Sequence, residues 1–527
     1  MTRKIKWLLL ASVLIAFYCP NMRAQTINAA SCSEKDVQNA LNQVVADGAT
    51  VVIPAGTCTW SSVMSYTATH AMTVIGAGNQ STIGGGDATV IVDGLSYTGP
   101  DPYLLTLHMN GASFRLSGIT IRGSGGNSCT FQTYNGPIAF GGTSQAVRID
   151  HNHFDHINNL AFTTSETWSG VLDHNLGDGC AGSGWRDSMS GNGDVDWNTA
   201  TNLGTGGSGW RYYETNQFNG FGNDTKAGGR MVYRFNTQTS TVGTEPLQTH
   251  ATGSFGDARG GRAWEVYKNT FNAPTYKADV SFAIISGTGV VWGNTYLPSS
   301  PTTTSGFKEF LRIQSIRNDN STYAQSATPS GWGYCGTTFN GTGSGWDQNN
   351  PASTGYRCLD NPGAGVGDLI TGNFPSKVNS TTGTIAWPHQ ASEPIYEWMD
   401  TWSPPPGGGA AYISNTGGAR IVQNSDYYAW CDPTSQSGCT SFNGTVGVGS
   451  GPLASRPSTC TVGVGYWATD QGNWNQSGSG GQGQLYKCTA TNTWTLYYTP
   501  YTYPHPLTSG SGTPPPAPPS NLSAIVH

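Results

Sequence analysis

The sequence predicts an all-β fold: a right-handed parallel β-helix, a solenoid, with a short N-terminal capping helix and a β-rich C-terminal cap. Three observations carry this expectation. The run RIDHNHFD at 148–155 returns as LDHNLGD at 172–178, so that Asp150, His151, Asn152 and Asp155 each have a like residue 23 positions later. Weaker copies, with an apolar or aromatic residue before an Asn, recur at Asn216, Asn236, Asn269 and Asn294, giving spacings from Asn152 onward of 23, 41, 20, 33 and 25. The 72 Gly and the low charged fraction, 11%, suit a turn-rich β chain and disfavour long helices.

Such a period belongs to coils of several short strands that cannot bury their apolar faces alone, so stacking supplies the core. Alternating side chains form inward columns. An Asn at a tight corner tolerates left-handed backbone angles and hydrogen-bonds its counterparts above and below. The spacings of 41 and 33 are then coils that carry loops, where function tends to sit. A sandwich or propeller is the competing fold, and four residues recurring in register favour stacked coils.

Residues 1–24 read as a secretory signal peptide: a basic start, an apolar run at 8–18 too short to span a bilayer, and the small residue Ala24 before the expected cleavage. In residues 34–60, Val37, Leu41 and Val44 or Val45 share one face, which predicts a short amphipathic helix before a strand at 50–53. This passage resembles the N-terminal cap of the pectate lyase superfamily, in which a helix plugs the open end of the solenoid. An uncapped solenoid would expose its core and its strand edges.

Rungs follow at 72–76 and 114–121, and the Gly- and Ser-rich stretch 179–209 reads as a lateral excursion from one coil. The solenoid with its cap is expected over 25–300, because solenoids grow by adding rungs and length alone says little about domain count. Residues 301–430 read as an irregular, disulfide-tied insertion and the last coils, with rung-like strands at 394–398 and 419–422. Residues 431–509 read as the terminal β-rich cap on the last coils. The tail 510–527 is Pro-rich, and its segment 519–526 resembles the opening strand of a fibronectin type III module.

Cleavage after Ala24 removes Arg3, Lys4, Lys6 and Arg23 and no acid, moving the net charge from −6 to about −10. Non-specific binding of nucleic acid is not expected of such a chain. It also removes Cys19 and leaves an even number of cysteines, which in an exported chain reads as disulfides. Sequence neighbours suggest 32 with 58, 335 with 358, 431 with 439 and 460 with 488, leaving 129 and 180; other connectivities stay open. A secreted monomer without a membrane span is expected.

The window 226–268 is the most loaded with chemistry. Lys226 and His250 lie 24 residues apart, close to one coil, with Arg230, Arg259 and Arg262 beside them. A cluster of Lys, three Arg and His on an acidic protein calls for an anionic partner. The window resembles the catalytic coil of pectate lyases, where an Arg removes the proton α to a uronate carboxylate and calcium held by stacked Asp neutralises that carboxylate. The resemblance implies Arg259 or Arg262 as base and Asp155 and Asp178 as possible calcium ligands; Arg230, which begins the equivalent strand one coil earlier, is expected to contact substrate. The family's Pro between the Arg residues and its full set of stacked Asp are absent. Lyases of the chondroitinase B and alginate lyase type use a Lys with an Arg, which Lys226 with Arg259 would imitate.

On pKa grounds His250 is the better base and Arg259 the neutraliser, because His titrates near neutrality unaided. The structural alternatives are that these side chains bind loop carbonyls and that Asp155 and Asp178 cap turns. The HxH of His151 and His153 lacks a Glu or Cys to complete a zinc site. The expected function is a secreted enzyme that cleaves an acidic, uronate-containing polysaccharide by β-elimination. Hydrolysis is the runner-up: polygalacturonases show an Asp-rich set of which only scattered residues such as Asp178, Asp194 and Asp196 are present. A non-catalytic glycan-binding adhesin is the alternative from another class, since fold does not establish catalysis.

Overall fold

The computed structural model describes residues 25–96, 103–124, 137–157, 162–164, 166–179, 188–192, 209–220, 222–225, 229–240, 246–249, 261–273, 280–297, 307–314, 361–367, 390–402, 411–416, 421–430 and 441–509. Three parallel sheets, here A, B and C, contain twelve, nine and ten strands. One coil visits them in the order C, A, B: Leu105–Met109, then Phe114–Ser117, then Thr120–Gly123. The next coil repeats this as Ile138–Gly142, Val147–Asp150 and His153–Asp155, each strand pairing in parallel with its predecessor. The expected parallel β-helix is thus the fold, right-handed as such crossovers are.

The corner from sheet A to sheet B takes two residues, and the second of them forms the Asn ladder. Each Asn Oδ1 accepts from the backbone N–H and the Nδ2 of the Asn one coil earlier, from Asn152 through Asn175, Asn216, Asn236 and Asn269 to Asn294. Asp400 Oδ1 takes the last place, at 2.6 and 2.8 Å. The ladder matches the expectation, but the left-handed residue is the one before the Asn: His151, His174, Thr215, Phe235 and Lys268 have φ between 54° and 58°. The physical reason is that the preceding residue turns the chain, while the Asn points inward and satisfies backbone groups that no strand pairs.

Inside the coils the apolar columns are continuous. Phe218, Tyr233, Phe271 and Tyr296 stack in sequence with centroids 5.0–6.5 Å apart. At the N-terminal end the helix Glu34–Leu41 is capped by Ser33, whose hydroxyl accepts from the Asp36 N–H, and it buries Val37, Ala40 and Leu41 on the first coils. Cys32 bonds to Cys58 and Cys460 to Cys488, as expected; the other suggested pairs lie outside the described residues. Among the described residues no helix is long and apolar enough to cross a membrane.

Three local expectations change. The rung at 114–121 is two strands divided at Gly118, whose φ of 69° makes the corner. Within the stretch 179–209, Ser188–Asn192 is a sheet C strand, and residues 180–187 and 193–208 lie outside the described residues. Ile421 and Val422 are not in a strand; the regular structure there is Ala411–Asn415 in sheet C and Tyr427–Tyr428 in sheet A.

Residues 441–509 form a module with one four-stranded sheet, and it lies along the outer face of sheet A. Trp292 stacks between Tyr267 and Trp398 on that face, and the module's Trp467 and Trp474 close over it. The chain then runs back along the sheet: Tyr501 and His505 meet Tyr212, and the Thr508 carbonyl accepts from Arg148 at 3.2 Å. The module therefore covers a wall from the early coils to the last ones.

Candidate functional site

Two polar regions stand on this scaffold. The first surrounds the A-to-B corner of the early coils and holds the sequence repeat. Side chains alternate in a strand, so Ile149 and Phe154 point inward, which leaves Arg148, Asp150, His153 and Asp155 on the outside. Arg115 grips Asp150 through two bonds of 2.7 and 2.6 Å, and Arg148 grips Asp173 at 2.9 and 2.8 Å. His151 and His174 bond their own preceding Asp at 2.7 and 2.9 Å and stack on each other, centroids 4.9 Å apart.

On sheet B, His153 spans Asp87 at 2.7 Å and Asp178 at 3.0 Å, Arg122 bonds both Asp155 and Asp87, and His156 bonds Asp155. Burial works against its charge, yet the bonds to Asp178 and Asp87 raise the His153 pKa. Hydrogen bonds from His153 and Asn219 hold Asp178 below its ordinary value. Asp87 is also low, because its bonds to His153 and Thr120 outweigh burial. Asp150 is lower still, its desolvation overcome by Arg115 and His151.

Asp155 and Asp178 are register neighbours, as the sequence expects, and Asp87, His153 and Asp155 bring possible ligand atoms within 4.8 Å of one another. The arrangement does not fit calcium. That ion takes six to eight oxygen ligands, whereas here a guanidinium and an imidazole occupy the space between the carboxylates.

The second region is the C-to-A edge of the later coils. The sheet C strands Gly222–Thr225 and Leu247–Thr249 pair in parallel, with Thr225 opposite Thr249. The sheet A strands that follow them, Arg230–Arg234 and Ala263–Tyr267, pair as well. The two connections therefore bridge the same edge of adjacent coils. Lys226, His250 and Arg259 belong to these connections and lie outside the described residues.

Arg230 and Arg262 are described. The Arg230 guanidinium sits 5.9 Å from the Trp210 ring, and Arg262 is 9% exposed, its backbone N–H bonded to the Gly229 carbonyl. Ala263 pairs with Thr288, whose hydroxyl donates to the Glu393 carbonyl at 2.6 Å, and the Glu393 N–H donates to the carbonyl of Gly363, whose own N–H donates to the Gly287 carbonyl. Glu393 was not anticipated from the sequence. It is 3% exposed, its Oε2 lies 2.4 Å from where a Cβ on Gly365 would stand, and its Oε1 finds no hydrogen-bond partner among the described residues. Burial pushes its pKa up to about 7 against the pull of Arg262, Lys487 and Arg230.

Lys487 was missed too, since nothing in the sequence ties the module's strand Gln484–Ala490 to this edge. Its pKa is lowered by burial, with Glu393 opposing. The one signal for Glu393 in the sequence is its place two residues before the apolar strand Ile395–Trp398.

The structure thus brings Arg230 and Arg262 to one edge and Asp155 and Asp178 to one corner, and it separates the two pairs. Arg262 lies four coils beyond Asp155, about 19 Å at the usual strand spacing, and at the opposite end of the sheet A strands. No family model matches this chain, and no curated protein does. Among solved structures it is similar to the crystal structure of an alginate lyase from Paenibacillus sp. str. FPU-7, with 15% identity and a TM-score of 0.27 over 51% of this chain and 94% of that one, a likeness too slight to carry an argument about activity.

Proposed function

We propose that this protein is a secreted enzyme that binds an acidic polysaccharide along the C-to-A edge and cleaves it by β-elimination. The observation that carries this reading is the pairing of Thr225 with Thr249 and of Arg230 with Ala263. In our reading the connections that carry Lys226, His250 and Arg259 gather them with Arg230 and Arg262 at one edge of two adjacent coils, in a chain whose net charge is −6. Cations gathered against the overall charge fit a polyanion.

In this reading His250 removes the C5 proton of a uronate. The electron pair left at C5 forms the C4–C5 double bond, and the C4–oxygen bond breaks to release an alcohol that takes up a proton. Arg259 neutralises the carboxylate as enolate-like charge develops, and Arg230 and Arg262 hold neighbouring carboxylates. Lys226 is the alternative base. No step is routed through calcium.

The test is a panel of pectate, alginate, glucuronan and glycosaminoglycans, assayed for ultraviolet absorbance and for reducing ends, with and without chelator. Absorbance rising with reducing ends is the expected result. Reducing ends alone mark a hydrolase, and binding without either signal marks an adhesin.

A further inference from the structure

The C-to-A edge continues past Arg230 toward the N-terminal coils, and there it holds a groove of about 280 Å³. The sheet A register shows why. Arg230 pairs with Trp210, and the residue that precedes each earlier strand carries the same column on through Ser169, Ala146, Ser113, Ala71 and Gly48. The backbone bonds from Val147 to Ser169, Phe114 to Ala146, Met72 to Ser113 and Gly48 to Ala71 keep this column in step. Large side chains fill it at Trp210 and Arg230, whereas Ala146, Ser113, Ala71 and Gly48 leave it open and line the groove.

Arg115 and Arg148 also line the groove, as does Leu507 of the returning C-terminal chain. Neither guanidinium is a free charge. Arg115 holds Asp150 and Arg148 holds Asp173 through Nε and Nη2, and both carboxylates are wholly buried. Arg148 spends Nη1 on the Thr508 carbonyl at 3.2 Å. Arg115 differs: its Nη1 has no hydrogen-bond partner among the described residues, and its side chain is 33% exposed. A guanidinium carries five N–H donors in a rigid fork, so one held by a buried acid keeps donors for an acceptor on its open side.

We propose that this groove is a distal subsite for the acidic polysaccharide, in which Arg115 donates to the carboxylate of a uronate several sugars away from the one at Arg230. The inference rests on the acidic-polysaccharide reading and extends it to a second point of contact. Arg115 lies four coils from Arg230, about 19 Å at the usual strand spacing, so a chain laid along the edge passes both. Among the described residues no carboxylate lines the groove, and small or apolar side chains with a few fixed donors are the usual make-up of a ligand site.

Arg115→Gln would leave the buried Asp150 without its guanidinium, so the charge is altered instead at Ser113, which is exposed and lines the groove. Calorimetry on the full chain measures affinity for disaccharides and octasaccharides of galacturonate, mannuronate, guluronate and glucuronate, with methyl-esterified octagalacturonate as the uncharged control. The His250→Ala background is used where turnover would consume the ligand. Ser113→Glu is expected to bind the preferred octasaccharide about tenfold more weakly and Ser113→Lys about tenfold more tightly. Both bind the disaccharide and the ester as the wild type does, and melting temperatures confirm that both are folded.

Wild-type turnover with both variants at wild-type affinity for the octasaccharide overturns the subsite and leaves the proposed function standing. The loss and the gain in octasaccharide affinity without turnover support the subsite and refute the lyase reading. An equal response of the ester overturns it, because the groove would not be reading carboxylates. Altered sedimentation with unaltered affinity marks the groove as a contact between copies and also overturns it. A wild-type chain that binds none of the octasaccharides overturns both readings.

Discussion

The A-to-B corner of the early coils and the C-to-A edge of the later ones use the same kinds of residue and reach opposite electrostatic states. At the corner every acid has a cation or imidazole against it: Asp150 has Arg115 and His151, Asp173 has Arg148 and His174, Asp155 has Arg122 and His156, Asp178 has His153. At the edge burial instead pushes the Glu393 carboxyl up to about 7 against the pull of Arg262, Lys487 and Arg230. Ion pairs hold the acids of the corner charged, whereas desolvation governs the acid of the edge. Density of chemically versatile side chains is therefore a poor guide to function here.

The largest expected effect separates the two regions by activity. His250→Ala should lower turnover by roughly two to four orders of magnitude, the usual worth of a general base, while His153→Ala at the corner leaves turnover of the folded enzyme unchanged. Steady-state kinetics on the preferred uronate polymer decides this. A folded His250→Ala enzyme with full turnover would return the base to Arg259, Arg262 or Lys226.

A second prediction concerns pH, and its sign differs between the regions. Glu265 lies under the C-terminal module, bonded by the Tyr498 hydroxyl, and burial pushes its pKa up to about 7. A carboxyl raised in the fold contributes its stability below its ordinary value and loses it as pH rises through about 7. The interval corresponds to about 3 kcal/mol. Denaturant melts should therefore show stability falling between about pH 5 and 8, and Glu265→Gln should remove its own share of that slope, the rest coming from other buried carboxyls such as Glu393 and Glu397. The corner behaves in reverse: Asp87, Asp150 and Asp178 are held low, so their contribution is present at neutral pH and is lost as pH falls through the acid range. Asp150→Asn should flatten the acid limb only.

A third prediction tests the ladder that both regions depend on. Asn236→Ala strands the buried Asn216 amide groups and the Tyr213 carbonyl, so it should cost at least about 2 kcal/mol in chemical unfolding. Activity per folded molecule should be kept. The smallest effect is expected of Asp155→Asn. Its partner Arg122 is 36% exposed, so the loss should stay near or below about 1 kcal/mol, and added calcium should not alter turnover of either protein.

The repeat spelled around Asn152 and Asn175 was enough to recognise the coils, because each rung must place the same residue types at the same corner. The helix at Val37 and the bonds from Cys32 to Cys58 and from Cys460 to Cys488 were likewise readable from periodicity and sequence proximity. Glu393 and Lys487 were not. They stand 94 residues apart in sequence and come together only through the module's return along sheet A.

By itself, then, the sequence determined the local, repeating features: the stacked coils, the Asn ladder and the capping helix. These depend on periodicity, which a chain displays directly. Only the tertiary structure decided that the His- and Asp-rich corner is a closed ion-pair lattice, that residues 441–509 lie along sheet A, and that Glu393 is buried. The reason is physical: the net charge and desolvation of a group depend on everything that surrounds it in space, and two of the elements around Glu393 are far from it along the chain.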